Sequence, residues 1–239
     1  CGHDCGADPL PCKYNMLADL DVQGNRLYVV GGDQAGAFQR LHVLDITNPG
    51  EPRCVGSQKL SCDGYCDSEV SVNACVALGV LCYGGHVYLG TGAGALAIVD
   101  LGTLDANSPA SAWTGRCVPA EGPSVWGKCQ PGDRWPGDTE VLAVNEIEGR
   151  RYLYTAACHN PLIVFDITDP GNPRECLGWA DPQEGSCQNS HGHDVTVLKN
   201  HVFVLEGATG LPGGDLNVLT MVHDGGIPPG PRLRTQSRG

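Results

Sequence analysis

The segment LIVFDITDPGNP at residues 162–173 has a near copy upstream, LHVLDITNPGEP at residues 41–52. A third copy, LAIVDL at residues 96–101, keeps the apolar run and the aspartate, and a fourth, LNVLT at residues 216–220, ends in threonine. The equivalent positions are 55, 66 and 54 residues apart, counted between Asp45, Asp100, Asp166 and Thr220. These spacings favour a four-stranded β-propeller blade with variable loops over any helical repeat.

Each copy lies in a longer series of strands and turns. Around the first copy, strands are expected at residues 16–22, 26–30, 41–46 and 53–58, and a turn at Gly24 and Asn25. The same order recurs three more times. The sequence therefore predicts an all-β, disulfide-rich β-propeller of about four four-stranded blades. The expected parts are a Cys-rich N-terminal strap at 1–13, blade 1 at 14–60, blade 2 at 61–118, blade 3 at 119–180, and blade 4 with the C-terminal tail at 181–239.

The second strand of every blade carries β-branched and aromatic residues with little polar content. These strands read LYVV at 27–30, VYL at 87–89, YLY at 152–154 and VFVL at 202–205. Such runs of β-branched and aromatic residues are typical of strands that are covered on both faces. We therefore expect blade to pack against blade along these strands.

An aspartate ends the third strand in three of the four copies. Asp45, Asp100 and Asp166 are each followed by an apolar residue and then by a turn. An aspartate at such a point caps a turn by accepting hydrogen bonds from nearby backbone N–H groups. We favour this structural role over a ligand role for all three.

The combined pattern resembles a known repeat. A glycine turn, an apolar-Tyr-Val strand, a glycine loop and the motif Leu-x-Ile/Val-x-Asp-Ile/Leu-Thr-x-Pro-x-x-Pro are similar to the LVIVD repeat of bacterial and archaeal surface β-propellers. The resemblance covers nearly the whole chain after residue 13. It implies a propeller fold and, commonly, an extracellular or cell-surface setting, but no single activity. Both a closed four-bladed ring and an open fragment completed by a neighbour fit the pattern.

Charge and hydropathy argue against a nucleic-acid partner and against a transmembrane segment. The formal net charge is −12, with 15 Lys and Arg against 27 Asp and Glu, so a nucleic-acid backbone would be repelled. No apolar run approaches the roughly 18 residues that a transmembrane helix needs. The sequence thus predicts neither nucleic-acid binding nor a transmembrane segment.

The chain contains 13 cysteines scattered among its loops. This distribution indicates a disulfide framework made in an oxidising compartment, and therefore a secreted or cell-surface protein. Because the sequence starts at Cys1, we expect a signal peptide to have been removed, and a lipidated Cys1 is the alternative. The odd count leaves a free thiol or an intermolecular bond if the others are paired. Cys1, Cys5 and Cys12 are the candidates for a bond to a neighbouring subunit.

Three histidines form the candidate metal site. His191 and His193 are two residues apart, and His159 is expected on the adjacent blade. Two histidines at this spacing on a strand chelate Zn or Cu, and Asp194 would orient one imidazole from the second coordination shell. The alternative is that these are loop histidines hydrogen-bonded to backbone.

A second candidate site consists of carboxylates at the expected blade entrances. They could converge on a central channel and hold Ca, or they could form a solvated rim. The residues concerned are Asp67, Glu69, Asp138, Glu140 and Asp194. Trp126 and Trp135, in the loop that enters blade 3, are candidates for stacking on a sugar.

The leading functional hypothesis is a non-catalytic, extracellular β-propeller that acts as a disulfide-stabilised structural or interaction module. It would be the repeating subunit of a surface fibre or filament and would associate with itself through the N-terminal cysteines and the tail at 231–239. One alternative is a metal-dependent enzyme with a Zn or Cu site at the three histidines. The other is an adhesin that binds calcium or carbohydrate.

Overall fold

The computed structural model describes residues 4–5, 8–9, 16–32, 40–59, 77–91, 96–103, 115–118, 139–157, 160–170, 173–179, 190–208, 214–224 and 230–238. Within these ranges the chain forms β-strands, tight turns and the short 3₁₀ turn Leu101–Thr103. The all-β class is confirmed. No helix in the described part of the chain is long and apolar enough to cross a membrane.

The chain divides into two compact units, Cys1–Cys117 and Val118–Gly239. The first unit begins with a small antiparallel pair, β1 (Asp4–Cys5) and β2 (Asp8–Pro9), and β1 lies beside β6. Sheet 1 consists of β3 (Met16–Gln23), β4 (Arg26–Gly32), β5 (Arg40–Asp45) and β6 (Arg53–Lys59). Sheet 2 consists of β7 (Ala77–Tyr83), β8 (His86–Thr91), β9 (Leu96–Asp100) and β10 (Gly115–Val118), which ends at the boundary between the units.

The second unit has the same plan. Sheet 3 consists of β11 (Thr139–Ile147), β12 (Arg150–Ala157), β13 (Asn160–Asp166) and β14 (Arg174–Trp179). Sheet 4 consists of β15 (Ser190–Leu198), β16 (His201–Ala208), β17 (Gly214–Asp224) and β18 (Gly230–Arg238). In all four sheets, strands that follow one another in the chain are hydrogen-bonded neighbours. Each sheet lies within one of the ranges expected for a blade, and closure of a ring stays a prediction.

The first hairpin of every sheet turns in the same way. Its first turn residue has a positive φ: 60° at Gly24, 58° at Gly84, 52° at Glu148 and 57° at Lys199. A two-residue turn with positive φ matches the twist of the strands that it joins. Glycine takes this conformation without strain, whereas Glu148 and Lys199 take it at some cost. The repeat is therefore preserved in the backbone even where its glycine is not.

The first strand of every sheet also has a register shift at one position. The shifts lie between Leu17 and Asp19, between Ala77 and Gly79, between Thr139 and Val141, and between Gly192 and Asp194. A bulge of this kind inserts one residue and resets the alternation of side chains. Asp19, Gly79, Val141 and Asp194 are therefore structurally equivalent.

Each unit has its core between its two sheets. In the first unit, Tyr28, Val30, Leu41 and Val43 of sheet 1 pack with Val80, Val87, Leu89, Ala97 and Val99 of sheet 2. In the second unit, Tyr152, Tyr154, Ala156, Leu162 and Val164 of sheet 3 pack with Val195, Val202, Val204, Leu219 and Met221 of sheet 4. Burial of these side chains is the main stabilising contribution to each unit.

The expectation that second strands are covered on both faces holds for three sheets and is wrong for the fourth. In β4, β8 and β12 the central residues are buried in succession, as at Tyr152, Leu153 and Tyr154. In β16 the alternate residue Leu205 is 43% exposed. An apolar strand sequence predicts that both faces of the strand are buried, but it does not show that another part of the protein packs against each face.

Candidate functional site

The aspartates that end the third strands cap turns, as the sequence predicted. Asp45 Oδ1 accepts hydrogen bonds from Thr47 N at 2.8 Å and from Thr47 Oγ1 at 2.6 Å. Asp100 Oδ1 accepts from Gly102 N at 2.7 Å, and Asp166 Oδ1 accepts from Thr168 N at 2.9 Å. The bond from the Thr47 hydroxyl is the main cause that lowers the pKa of Asp45. These carboxylates organise the backbone.

Two further aspartates, which sequence reasoning did not single out, connect sheet 1 to sheet 2. Asp19 Oδ2 accepts a hydrogen bond from Val80 N at 2.9 Å, and Asp21 Oδ2 accepts one from Cys82 N at 2.6 Å. The other oxygens accept from within β3: Asp19 Oδ1 from Leu20 N at 2.8 Å, and Asp21 Oδ1 from Val22 N at 2.7 Å. We call this arrangement the carboxylate joint.

The carboxylate joint covers two sheet edges. β3 and β7 are each the edge strand of their sheet, so their outward N–H groups have no neighbouring strand to bond. An exposed row of such groups is a template for unwanted pairing. The Asp19 and Asp21 carboxylates lie between the two edges and accept hydrogen bonds from backbone N–H groups of both strands. The available sequence signal was the alternation of aspartate with apolar residues in ADLDV at 18–22.

Cys82 lies at the carboxylate joint with a half-buried, free thiol. Burial raises the pKa of this thiol well above its ordinary value, and the neighbouring Asp21 carboxylate raises it further. Burial also raises the pKa of Tyr28, with smaller contributions from Cys82 and Asp21 that Arg26 partly offsets. Cys54, on β6, is disulfide-bonded. The disulfide framework of the chain as a whole stays a prediction.

The side-chain amide of Asn145 connects sheet 3 to sheet 4. Asn145 Nδ2 donates a hydrogen bond to the carbonyl oxygen of Lys199 at 2.5 Å, and Asn145 Oδ1 accepts one from Tyr154 Oη at 3.0 Å. The Asn145 side chain thus fixes the first hairpin of sheet 4 against β11. Side-chain bonds from one sheet to the next therefore occur within both units, although the residue types differ.

Sheet 4 also holds a buried polar pair. Asn217 is fully buried and donates from Nδ2 to Glu206 Oε2 at 2.9 Å, and Glu206 is 2% exposed. Among the described residues, Asn217 Oδ1 has no hydrogen-bond partner. The two side chains lie on the face of sheet 4 that packs against sheet 3, because they alternate with the exposed residues Leu205 and Leu216.

The exposed large apolar side chains lie on two faces. The outer face of sheet 1, opposite sheet 2, carries Leu20 at 58% exposure and Val22 at 50%. The outer face of sheet 4, opposite sheet 3, carries Leu198 at 64%, Leu205 at 43% and Leu216 at 45%. Large exposed apolar patches mark interaction sites in soluble proteins. These two outer faces are the candidate functional surfaces of the chain.

The structure describes only part of the histidine site. β15 begins at Ser190, so His191 and His193 lie in one strand, with His193 at the register shift. The His193 side chain is exposed, and its imidazole lies over Gly207, where a Cβ would be 2.5 Å from Nε2. His159 lies outside the described residues, and His191 is described by its backbone alone. Within the described ranges, no three His, Cys, Asp or Glu side chains are grouped as metal ligands. The metal site stays a prediction.

Most other candidate residues also lie outside the described ranges. This applies to Cys1, Cys12, Asp67, Glu69, Asp138, Trp126 and Trp135. Cys5 and Glu140 are described by their backbone alone, in β1 and β11. Asp194 is an exposed residue of β15, opposite Leu205 of β16. Neither the cysteine bridge to a neighbour nor the calcium site is tested by this geometry.

The comparison with solved structures gives likenesses at low sequence identity. The computationally designed Ika4 protein matches with a TM-score of 0.45 and 13% identity, over 86% of this chain and 91% of that one. The N-terminal domain of Nup159 matches with a TM-score of 0.48 and 11% identity, over 92% of this chain and 47% of that one. The designed Ika8 protein matches with a TM-score of 0.43 and 14% identity, over 85% and 45%.

Comparison with curated proteins gives no match. The model of the LVIVD repeat family matches residues 16–59 and residues 136–179. The first match coincides with the four strands of sheet 1, and the second contains the four strands of sheet 3. These two stretches of the chain therefore match the LVIVD repeat, and they fold as sheets 1 and 3.

Proposed function

We propose that this chain is a non-catalytic, extracellular β-propeller module that is stabilised by disulfides and associates with copies of itself as the subunit of a larger structure. The observation that carries the proposal is the placement of the exposed apolar side chains. All five of the large ones among the described residues lie on the outer faces of sheets 1 and 4. Burying one Leu or Val side chain contributes about 1.5–3 kcal/mol, so these faces favour association.

The roles of the described carboxylates support a structural function. Asp19 and Asp21 bond to backbone N–H groups of the next sheet, and Asp45, Asp100 and Asp166 bond to backbone N–H groups of turns. A general acid or base needs a carboxylate directed at a substrate. Each of these five accepts at least one hydrogen bond from the main chain of the protein.

The cysteine content supports an oxidising, extracellular setting. The chain has 13 cysteines, and Cys54 forms a disulfide bond. Disulfides persist outside the cell and are rare in the reducing cytosol. The proposal keeps Cys1, Cys5 and Cys12 as the residues that would bridge neighbouring subunits.

The C-terminal tail has a defined place in sheet 4. β18 (Gly230–Arg238) pairs with β17 of the same chain and is the last strand of its sheet. The tail is therefore part of its own sheet. A contribution of the tail to assembly would come from the outer edge of β18, by pairing with another strand.

Measuring mass under native and denaturing conditions tests the proposal. Full-length chain, expressed in an oxidising compartment, would be studied by sedimentation over a hundredfold range of concentration, and by gel electrophoresis with and without reductant after alkylation of free thiols. We expect concentration-dependent multimers. A covalent ladder that collapses on reduction would show that disulfides link the subunits, and mapping of the linked peptides would then test Cys1, Cys5 and Cys12. A monomer at every concentration would contradict the proposed assembly.

A further inference from the structure

We propose that Glu206 and Asn217, together with Asp215, form a calcium site on the buried face of sheet 4. The three residues lie where β16 pairs with β17, on the face of sheet 4 that packs against sheet 3. The site is independent of the proposed self-association, because it belongs to the interior of one chain.

Glu206 is a buried carboxylate at a position where the repeat does not require one. It is 2% exposed and lies opposite Gly192, the residue that precedes the register shift in β15. The corresponding residues of sheets 1, 2 and 3 are Gly31, Thr91 and Ala157, none of which is charged. A buried carboxylate is costly unless it is paired or binds a metal. Glu206 therefore has a role that is specific to sheet 4.

The side-chain amide of Asn217 is buried beside this carboxylate. Asn217 is fully buried, and its Nδ2 donates to Glu206 Oε2 at 2.9 Å. Within the described ranges, Oδ1 of the same amide has no hydrogen-bond partner. A half-turn of the amide exchanges its two ends, which have nearly the same shape, and places Oδ1 beside Oε2. Two oxygens at that separation attract a cation between them, and Oδ1 then gains a partner.

Asp215 adds a second acidic residue at this place. Its backbone lies directly opposite Glu206, and Asn217 is two residues further along β17. Residues 215 and 217 alternate with Leu216, which is exposed on the other face. Like charges at directly opposed positions destabilise a sheet. A cation bound between β16 and β17 removes this repulsion.

The chemistry of the three residues selects calcium. Carboxylate and amide oxygens are the side-chain ligands of calcium, which completes roughly six to eight oxygen contacts with backbone carbonyls and water. Magnesium demands near-octahedral geometry and retains its own waters, so it fits a strand pair less well. Zinc and copper prefer nitrogen and sulfur ligands, which these three side chains do not offer. The site is therefore distinct in chemistry from the histidine hypothesis.

Calcium binding by the full-length oxidised chain tests the proposal. Protein passed over a chelating resin would be titrated with calcium by calorimetry in about 0.15 M NaCl, which screens the general attraction of calcium to an acidic chain. We expect about one equivalent to bind. Because calcium would bind the folded chain, it should also raise the temperature of thermal unfolding, whereas an equal concentration of magnesium should raise it less.

Two substitutions of opposite effect separate a calcium site from a structural pair. Glu206→Gln keeps the shape of the side chain and should weaken calcium binding at least about tenfold. Asn217→Asp adds a charged ligand and should strengthen binding at least about threefold, because the number of charged ligands sets calcium affinity. Damage to the fold cannot produce this gain, and circular dichroism would verify that both variants fold. Asp194→Asn removes an exposed carboxylate from the other face of sheet 4 and is the matched control.

Three other outcomes would overturn the proposal. An unfolding temperature that calcium leaves unchanged would show that Glu206 and Asn217 form a structural pair without an ion. Equal calcium affinity in wild type, Glu206→Gln and Asn217→Asp would show adventitious binding to surface carboxylates. Loss of binding in Asp194→Asn alone would place the ion on the other face of the sheet. None of these outcomes changes the multimers expected from the proposed self-association, which sedimentation measures separately.

Discussion

The carboxylate of Asp21 accepts a 2.6 Å hydrogen bond from the backbone N–H of Cys82, a residue 61 positions further along the chain. This bond joins the edge strand of sheet 1 to the edge strand of sheet 2. Its companion, from Val80 N to Asp19, lies two residues away on both strands. The first unit is therefore held together by apolar packing in its centre and by charged hydrogen bonds along its edge.

Asp21→Asn should destabilise the first unit. The amide offers one acceptor oxygen where the carboxylate offers two, so either Val22 N or Cys82 N would face an NH₂ group. We expect the free energy of unfolding to fall by about 1–3 kcal/mol, as for other losses of a hydrogen bond to a charged group. Urea denaturation followed by fluorescence measures this. Glu146→Gln, which removes one exposed charge from the other unit, is the control. Equal stability of the two variants would contradict the role of the joint.

Cys82 should resist alkylation in the folded protein. Its raised pKa keeps the thiol protonated well above the ordinary value of 9.0, and alkylation requires the thiolate. At pH 8 we expect iodoacetamide to modify Cys82 at least about tenfold more slowly in the native chain than in urea. Mass mapping of the labelled peptide measures both rates. Asp21→Asn should accelerate the native reaction, because it removes the second cause of the shift, while burial remains. Equal native and unfolded rates would contradict the environment described for this thiol.

The same raised pKa makes stability depend on alkaline pH. Below the ordinary pKa of the thiol, Cys82 is protonated in both the folded and the unfolded state. The free energy of unfolding then does not depend on pH through Cys82. Above that value the unfolded state releases a proton that the folded state retains, so the free energy of unfolding falls as pH rises. Cys82→Ser should reduce this slope between pH 9 and 10. An unchanged slope would assign the alkaline loss of stability to other groups.

The pKa of Asp45 depends on the hydroxyl of Thr47. A carboxylate with a lowered pKa contributes stability above its ordinary pKa, and that contribution is lost as pH falls through the lowered value. Thr47→Val removes the largest cause and leaves the backbone bond, so the pKa of Asp45 should rise towards 3.8. Titration of the Asp45 carboxyl carbon by NMR measures it. Thr168→Val is the matched control, because the Thr168 hydroxyl accepts from Arg151 N. An unchanged pKa of Asp45 in Thr47→Val, or an equal shift in Thr168→Val, would contradict the assignment.

The strands could be predicted from the sequence because each depends on local patterns. The apolar runs, the turn glycines and the aspartates before the prolines define sheet 1 to within one or two residues, with β4 expected at 26–30 and found at Arg26–Gly32. Where glycine is absent, at Lys199, the strand signals on both sides still located the turn. Local physical chemistry was sufficient for these elements.

The candidate surfaces could not be predicted in the same way, because they depend on partners distant in the sequence. Asp19 and Asp21 read as ordinary polar residues of a strand until β7 is placed beside them. From the sequence, Leu205 would be expected in the core. An apolar side chain in a strand does not reveal whether another part of the protein covers it. The sequence also gives no signal of the bulge at His193, which determines which side chains lie on each face of β15.

The histidine hypothesis predicts a bound metal ion. If His159, His191 and His193 form a site, the chain should retain about one equivalent of Zn or Cu after exhaustive dialysis, and His193→Ala should lose it. Plasma emission spectroscopy measures the content. His201→Ala, which changes another histidine of sheet 4, is the control. Retention below about a tenth of an equivalent would contradict the site.

Gly207 and His193 are coupled by a close approach. A Cβ on residue 207 would lie 2.5 Å from Nε2 and 2.8 Å from Cδ2 of His193, so Gly207→Ala must displace the imidazole. Because His193 is exposed, it can rotate, and we expect a loss of about 1 kcal/mol in the free energy of unfolding, the cost of an unfavourable rotamer. In a His193→Ala background the same change should be neutral or stabilising, since alanine restricts the unfolded chain more than glycine does. A double-mutant cycle by urea denaturation gives the coupling. Equal effects of Gly207→Ala in both backgrounds would show that the imidazole does not occupy this position in solution.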